Sequence, residues 1–269
     1  MMKMEYTGER MVPEDADKNT FWEHIYRYRF ALPYVQGKRV LDIACGEGYG
    51  AAALLQSGAA SLTGVDISGE ACEHAARMYG ITTKVGDAKN IPLADKSVDV
   101  VVSFETIEHT DNPDLFLDEC ARVLVPGGKL VISTPNLDAR DKNTPKNPFH
   151  LKELSAKEFI TLLEKRFQKV EVYAQRPKVA AWWSLRSLSA VQAVWQRVPG
   201  FGRFQKLLQF FYCPEVQDVN SLNQARANPV QAILAGQRKE KYLGNPFLIR
   251  RHKSAVQEVP VYFIAVASL

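Results

Sequence analysis

The sequence predicts a doubly wound α/β protein, and three observations predict it. An apolar run, Val40-Leu-Asp-Ile43, breaks into Gly46, Gly48 and Gly50 and then into a helical stretch beginning Ala51-Ala-Ala-Leu-Leu55. Further β-branched runs follow in alternation with helical ones, in the order β, α, β, α, β, β, α, β, which places helices on both faces of a mostly parallel sheet. The chain of 269 residues is 46% hydrophobic and 24% charged, which suits one large globular domain carrying an insertion.

Residues 1 to 20 are polar and turn-rich. A helix is expected from Thr20 to Val35, carrying Trp22, His24, Tyr26, Tyr28 and Arg29. Its aromatics read as core packing. A functional reading makes residues 1–36 a lid over a bound ligand, with Glu9, Arg10, Tyr28 and Arg29 as candidates to hold a carboxylate. The glycine turn opens a nucleotide-binding βαβ unit. Its spacing also satisfies the dinucleotide pattern G-x-G-x-x-G/A. Asp42, at the end of the strand, is ill placed for a pyrophosphate and suits a cationic ligand such as a sulfonium.

The second strand, Ser61 to Val65, ends in Asp66, about twenty residues past the turn, where such folds hydrogen-bond a ribose diol. Ser68 can cap the next helix. The third strand, Thr82 to Val85, leads to Gly86-Asp87-Ala88, and Asp87 can accept a bond from an adenine amino group. The fourth, Val98 to Val102, runs into Ser103-Phe-Glu-Thr-Ile-Glu-His109. A helix from Pro113 to Leu124, a turn at Pro126-Gly-Gly128 and a fifth strand from Lys129 to Ser133 follow.

Residues 137–149 form a polar loop. Ser155 and Glu158 make a capping box for a helix to Lys165; a sixth strand covers Phe167 to Ala174 and a seventh Pro260 to Leu269. The expected organisation is thus a lid segment 1–36, a core 37–175, a helical insertion 176–255 and the final strand 256–269. The insertion has no acid between Lys178 and Pro214 but five cations and eight aromatic residues. That stretch reads as an amphipathic element packing on the core, on a second copy in a homodimer, or on a membrane surface at 178–214.

Net charge of +4 permits anionic partners without pointing to nucleic acid. Four scattered cysteines without a C-x-x-C read as reduced thiols of a cytoplasmic protein. The start lacks the apolar core of a signal peptide, and no run is long enough to cross a bilayer. A peripheral membrane association through the insertion stays open.

Five segments in register carry a resemblance: VLDIACGEGYG (40–50), VDIS (65–68), GDAKNIP (86–92), VDVVVSFETIEH (98–109) and RVLVPGGKLVIS (122–133). The chain resembles a class I S-adenosylmethionine-dependent methyltransferase. It is similar to members that act on bacterial surface polysaccharides and small molecules, some of which begin like Tyr6-Thr-Gly-Glu-Arg10. The resemblance implies a Rossmann-like sheet of seven strands, the last antiparallel, with the insertion before that last strand.

It also implies S-adenosylmethionine as cofactor. Asp42, Ala44, Gly46 and Gly48 would lie beside its methionine moiety, Asp66 and Ile67 at the ribose, Asp87 and Ala88 at the adenine, Ser103 and Phe104 where donor meets acceptor, and Arg29 at the carboxylate. The acceptor would be a small-molecule or glycan hydroxyl.

A hydroxyl must lose a proton, and His109 and His150, with Glu105, are the candidate catalytic residues. If helical, Glu105, Glu108 and His109 share one face and, with His150, could hold Mg²⁺ or Mn²⁺. That segment resembles the metal-binding part of some 2′-hydroxyl RNA methyltransferases and ubiquinone-pathway O-methyltransferases. Simple hydrogen bonding by the two glutamates is the plainer alternative. Two other function classes compete: an NAD(P)-dependent oxidoreductase, favoured by the glycine spacing, and a non-catalytic binding scaffold.

Overall fold

A computed structural model describes residues 11–139, 147–177, 219–235, 247–251 and 262–269. The elements are α1 (Lys18–Val35), β1 (Arg39–Ile43), α2 (Tyr49–Gln56), β2 (Ser61–Asp66), α3 (Gly69–Tyr79), β3 (Thr82–Val85), β4 (Val98–Phe104), a 3₁₀ turn (Ile107–His109), α4 (Pro113–Val123), β5 (Leu124–Pro135), a second 3₁₀ turn (Leu137–Ala139), α5 (Ala156–Glu164), β6 (Lys169–Pro177), α6 (Val219–Ala227), α7 (Pro229–Leu234), β7 (Phe247–Arg251) and β8 (Tyr262–Ser268).

The strands form one sheet in the order β3-β2-β1-β4-β5-β8-β6-β7. β1 to β5 are parallel to their neighbours, and β8 runs antiparallel to both β5 and β6. These seven are the strands the sequence led to expect, with the last one reversed. β7 is an eighth, paired antiparallel with β6 at the edge. It lies in the stretch expected to be a helical insertion.

The continuous apolar strands are explained by burial on both faces. Val40, Val100, Val102, Val131 and Ile264 face a core built with α1, α2, α6 and α7. Leu41, Ile43, Val101, Leu130 and Ile132 face the opposite core, built with α4 and α5. Alternate residues of one strand therefore enter different cores, and both sets must be apolar.

Caps follow the sequence closely. Ser68 Oγ accepts from Ala71 N at the start of α3, and Ser155 with Glu158 completes the reciprocal box of α5. The Pro126-Gly-Gly128 turn instead falls inside β5. There Val98 pairs with Leu124 but Val100 with Lys129, and Gly127 takes φ +76°. The glycines are absorbed as a bulge in a strand already edge-locked on both sides of it.

Helix α1 is a fixed wall of the first core. Phe21, Trp22, Ile25, Ala31 and Val35 are buried in it. Asp17 caps its first turn through Asn19 N and Thr20 N. Helices α6 and α7 clamp it: Leu222, Ala225, Val230 and Ile233 join its core, Arg29 donates to Ala232 O at 3.0 Å through Nε, and Arg226 Nη2 donates to Ala16 O. This part of the insertion is helical as expected, with Asn228 capping α7. The stretch 178–214 lies outside the described residues. Among the described residues no helix is long and apolar enough to cross a membrane.

The chain winds from β1 outward to β3, then returns to β4 beside β1. That reversal opens a crevice at the carboxyl ends of β1 and β4, where open α/β sheets take their ligands.

Candidate active site

A cavity of about 640 Å³ occupies this crevice, within the usual size for small-molecule sites. Its donor-side wall comes from the loops after β1, β2 and β3: Ile43 to Glu47, Asp66-Ile67 and Gly86 to Lys89. The loop after β1 is held by Asp66, whose Oδ2 accepts from Gly46 N at 2.8 Å and whose Oδ1 accepts from Ser68 N at 2.9 Å. Asp66 thus spans the first loop and the α3 cap, with its carboxylate at the cavity.

Glycine is required at two points of this wall. Gly48, the N-cap of α2, has φ +86°, and a Cβ there would stand 2.4 Å from Ala75 Cβ. At Gly50 a Cβ would meet the Tyr28 ring at 2.0 Å. The ring can therefore lie on the first turn of α2, edge-to-face with Phe104 (5.0 Å) and Tyr49 (5.9 Å). Two non-glycine residues bordering the cavity also have positive φ, Ala44 (58°) and Glu105 (54°). Strained backbone of this kind clusters at functional sites.

Asp42 lies behind the wall, buried, and Tyr28 Oη donates to its Oδ2 at 3.2 Å. Burial pushes its carboxyl up to about 8, helped by the Asp66 charge and opposed by the Tyr28 bond. Asp87 reaches the cavity beside Ala88, with its Oδ1 accepting from Lys89 N at 2.8 Å. Ile67, 74% exposed, lies at the mouth. Gly48 and Ser103 stand off the cavity: Gly48 turns the chain into α2, and Ser103 is fully buried in β4. Phe104 does line it.

Arg29 is a correction. Its guanidinium is spent on Ala232 O and stacks over the Tyr26 ring at 4.7 Å, away from the cavity walls. Nothing in the sequence announces that α7 docks there.

The opposite wall gathers α1, the turn after β4, the turn at Asn147–His150, and β8. Asp17, Thr20, His24 and Tyr28 line it from α1, with Glu105, Thr106, His109, Asn147, His150 and Tyr262 from the others. His109 Nδ1 lies 3.0 Å from Phe149 O, a pure acceptor, so the proton is on Nδ1. His150 Nδ1 meets Glu153 Oε1 at 3.0 Å, and its Nε2 meets Asn147 Nδ2 at 3.0 Å. Asn147 Oδ1 accepts from Phe149 N, which fixes its amide as the donor to His150. The two rings meet edge-on, 5.0 Å apart.

Behind this wall Arg27 is fully buried. Its Nη1 donates to Gln175 Oε1 at 3.0 Å and lies 3.8 Å from Glu105 Oε1, and its guanidinium stacks on the Tyr262 ring at 4.4 Å. Burial opposes its charge, but Glu105, Tyr262 and Glu23 outweigh burial and hold the charge in place. Arg27 was not among the expected site residues, because its partners Gln175, Glu105 and Tyr262 are all far from it in sequence.

The expected helical face of Glu105, Glu108 and His109 does not form. The positive φ of Glu105 turns the chain before the 3₁₀ turn, so Glu105 points to Ser133 Oγ (2.9 Å) and Arg27. Glu108 is buried, accepts from Thr134 Oγ1 at 3.1 Å, and leaves Oε1 without a partner. Burial raises its pKa well above the ordinary range, so the proton stays on. Glu108, His109 and His150 still offer one ligand atom each, all within 4.8 Å of one another. Three of the four expected ligands converge, and Glu105 is not among them.

A methyltransferase-domain family profile matches residues 41–132, the span of β1 to β5 that builds the donor wall. The match falls on the segment that carries the resemblance to class I S-adenosylmethionine-dependent methyltransferases, and it supports that resemblance. It is 41% identical over 170 residues to a probable S-adenosylmethionine-dependent methyltransferase of Mycolicibacterium smegmatis, across 61% of this chain and 65% of that protein. It is 35% identical over 119 residues to a fatty-acid O-methyltransferase of the same organism, across 43% of each chain. The chain thus spans less than two thirds of either relative.

A structure titled as a methyltransferase and possible histamine N-methyltransferase from Thermotoga maritima shares the fold. It has a TM-score of 0.58 and 17% identity, covering 97% of this chain and 96% of that one. The methyltransferase-domain match over β1 to β5 favours the donor reading of the glycine loop over the dinucleotide one. Asp42, which the sequence suggested as a match for a cationic ligand, instead lies behind the wall and holds Tyr28, which lines the cavity.

Proposed function

We propose that this methyltransferase moves a methyl group from S-adenosylmethionine to a hydroxyl of a neutral polyol, a sugar or glycan precursor. The observation that carries the acceptor class is the make-up of the acceptor-side wall. It offers hydroxyl, imidazole, amide and carboxylate groups: Thr20, Thr106, His24, Asn147, Asp17 and Glu105. Such groups pair with alternating donors and acceptors of a polyol. Among the described lining residues the one lysine or arginine is Lys89, held by Asp111 at 2.6 Å on the donor side. A carboxylate acceptor, as the name of the fatty-acid relative would suggest, would face Asp17 and Glu105 without a cation in the wall.

The donor fits the other wall. Bound there, its sulfonium supplies an already activated methyl group, so the protein has to align, exclude water and manage one proton. Asp66 with Ile67 is the pair for the ribose, Asp87 with Ala88 for the adenine, and the Ala44–Gly46 backbone with Tyr28 for the methionine end. Asp42 acts from behind Tyr28.

A second reading is favoured by the orphaned Glu108 Oε1: a divalent cation held by Glu108, His109 and His150 orients the acceptor oxygen. It requires His150 Nε2 to give up Asn147 and Glu108 to give up its proton. Activity that survives exhaustive chelation and ignores added Mg²⁺ or Mn²⁺ sinks it.

The acceptor class is tested with radiolabelled donor against a panel of methyl glycosides and, in parallel, myristate. Transfer to a glycoside is expected. Transfer to myristate alone would overturn the polyol reading, and so would transfer to neither.

A further inference from the structure

We propose that His24 is the catalytic base that takes the proton of the acceptor hydroxyl; this rests on the O-methyl transfer proposed above. Four residues of α1 line the cavity, Asp17, Thr20, His24 and Tyr28. Their spacings of three, four and four put them on one face of the helix. Tyr28 marks the donor end of that stripe, beside Asp42 and Phe104. Asp17, the helix cap, marks the other end. His24 falls between them, where the two ligands must meet.

The competing bases are tied into the wall by their neighbours. Both ring nitrogens of His150 are hydrogen-bonded, to Glu153 and Asn147. His109 gives its Nδ1 proton to Phe149 O and packs its ring against His150. Glu105 accepts from Ser133 and pairs with Arg27. His24 makes no hydrogen bond among the described residues, so its ring nitrogens are available to a ligand.

The surroundings keep that ring unprotonated. Burial acts first, and the Arg27 charge one turn along α1 adds to it; together they lower the His24 pKa well below its ordinary value. The other titratable groups on the cavity walls around it are Asp17 and Tyr28 from α1, Glu105 and His109 after β4, His150 from its turn and Tyr262 from β8.

In the step, the acceptor O–H bond breaks and its proton forms an N–H bond on His24. The oxygen pair so freed forms the new O–CH₃ bond, while the methyl group's former bonding pair leaves with the sulfur of the sulfonium donor. The imidazolium then returns its proton to solvent, a release that its low pKa favours.

Two measurements test this on the full chain. In the S-adenosylhomocysteine complex, the ¹³C-labelled His24 ring, assigned by its loss in His24→Asn, should stay unprotonated at pH values below the usual histidine midpoint of about 6.5. It should also shift when a methyl glycoside that the wild type methylates is added. In turnover of that glycoside, His24→Asn should lose a factor of about 10² or more, the usual span for a general base. S-adenosylhomocysteine affinity should be unchanged, and the acid limb of the wild-type pH profile should vanish. His24→Gln serves as a second variant, and the ring itself is titrated in the wild-type protein, a variant serving only to assign its signal.

A His24 ring that protonates near its ordinary midpoint overturns the proposal. So does a variant with wild-type turnover, or one that is slower but keeps the acid limb. A wild-type protein that methylates no glycoside overturns the function reading, and the base with it.

Discussion

The two walls of the cavity are built in different ways. The donor wall comes from three loops, each directly following a strand of the parallel sheet, and its contacts run largely through backbone: Gly46 N and Ser68 N on Asp66, Lys89 N on Asp87. The acceptor wall is assembled from side chains that are far apart in sequence. α1, the turn after β4, the turn at Asn147–His150 and β8 all contribute to it, and Arg27 braces it from behind on Gln175, 148 residues away. A backbone-built wall tolerates few shapes and takes one ligand. A side-chain wall can be rebuilt for a new acceptor without touching the sheet, which is how one fold serves many acceptors.

The largest effect is expected where the loop after β1 combines left-handed backbone with little room. Gly48→Ala must carry a side chain at φ +86° and push into Ala75, so it should destabilise by roughly 2–5 kcal/mol, the sum of left-handed strain and overpacking. Denaturant unfolding measures it. A wild-type midpoint would show that the loop moves freely, and that the contrast between the walls is overstated.

Next, Asp66→Ala should weaken S-adenosylhomocysteine binding by about 1.5–3 kcal/mol, the scale of bonds to charged groups. Unchanged affinity in a calorimetric titration would refute its place at the ribose.

Helix α1 should show the cost of its burial in pH dependence. Burial lifts the Glu23 carboxyl from 4.5 to about 7. Between those values the folded chain holds the proton more tightly than the unfolded one. The associated stability is therefore complete below pH 4.5 and is lost as pH rises through about 7. Glu23→Gln keeps a neutral group at every pH. It should raise the melting temperature at pH 8, by the equivalent of about 1–2 kcal/mol, and leave it unchanged at pH 4. Equal shifts at both pH values would mean that Glu23 is not the titrating group.

The same contrast decides what could be read in advance. β1 to β3 and their acids were legible because apolar run, turn and acid lie within a few residues of each other. The seven strands and the α5 capping box followed from equally local patterns. Arg29 was misassigned because its partner comes from α7, and no local pattern points there. The Glu105-Glu108-His109 face failed because it assumed a helix where Glu105 adopts φ 54°. His24 follows Glu23 in the sequence but belongs to no recognisable motif. Its other neighbours are a cavity and a buried arginine, which only the packed helix brings together.

The most direct test of the account is a calorimetric titration of the purified protein with S-adenosylhomocysteine, run beside NADH. Saturable binding of the first and none of the second is predicted from the Asp42, Asp66 and Asp87 loops. Binding of NADH without S-adenosylhomocysteine, or of neither, would contradict it.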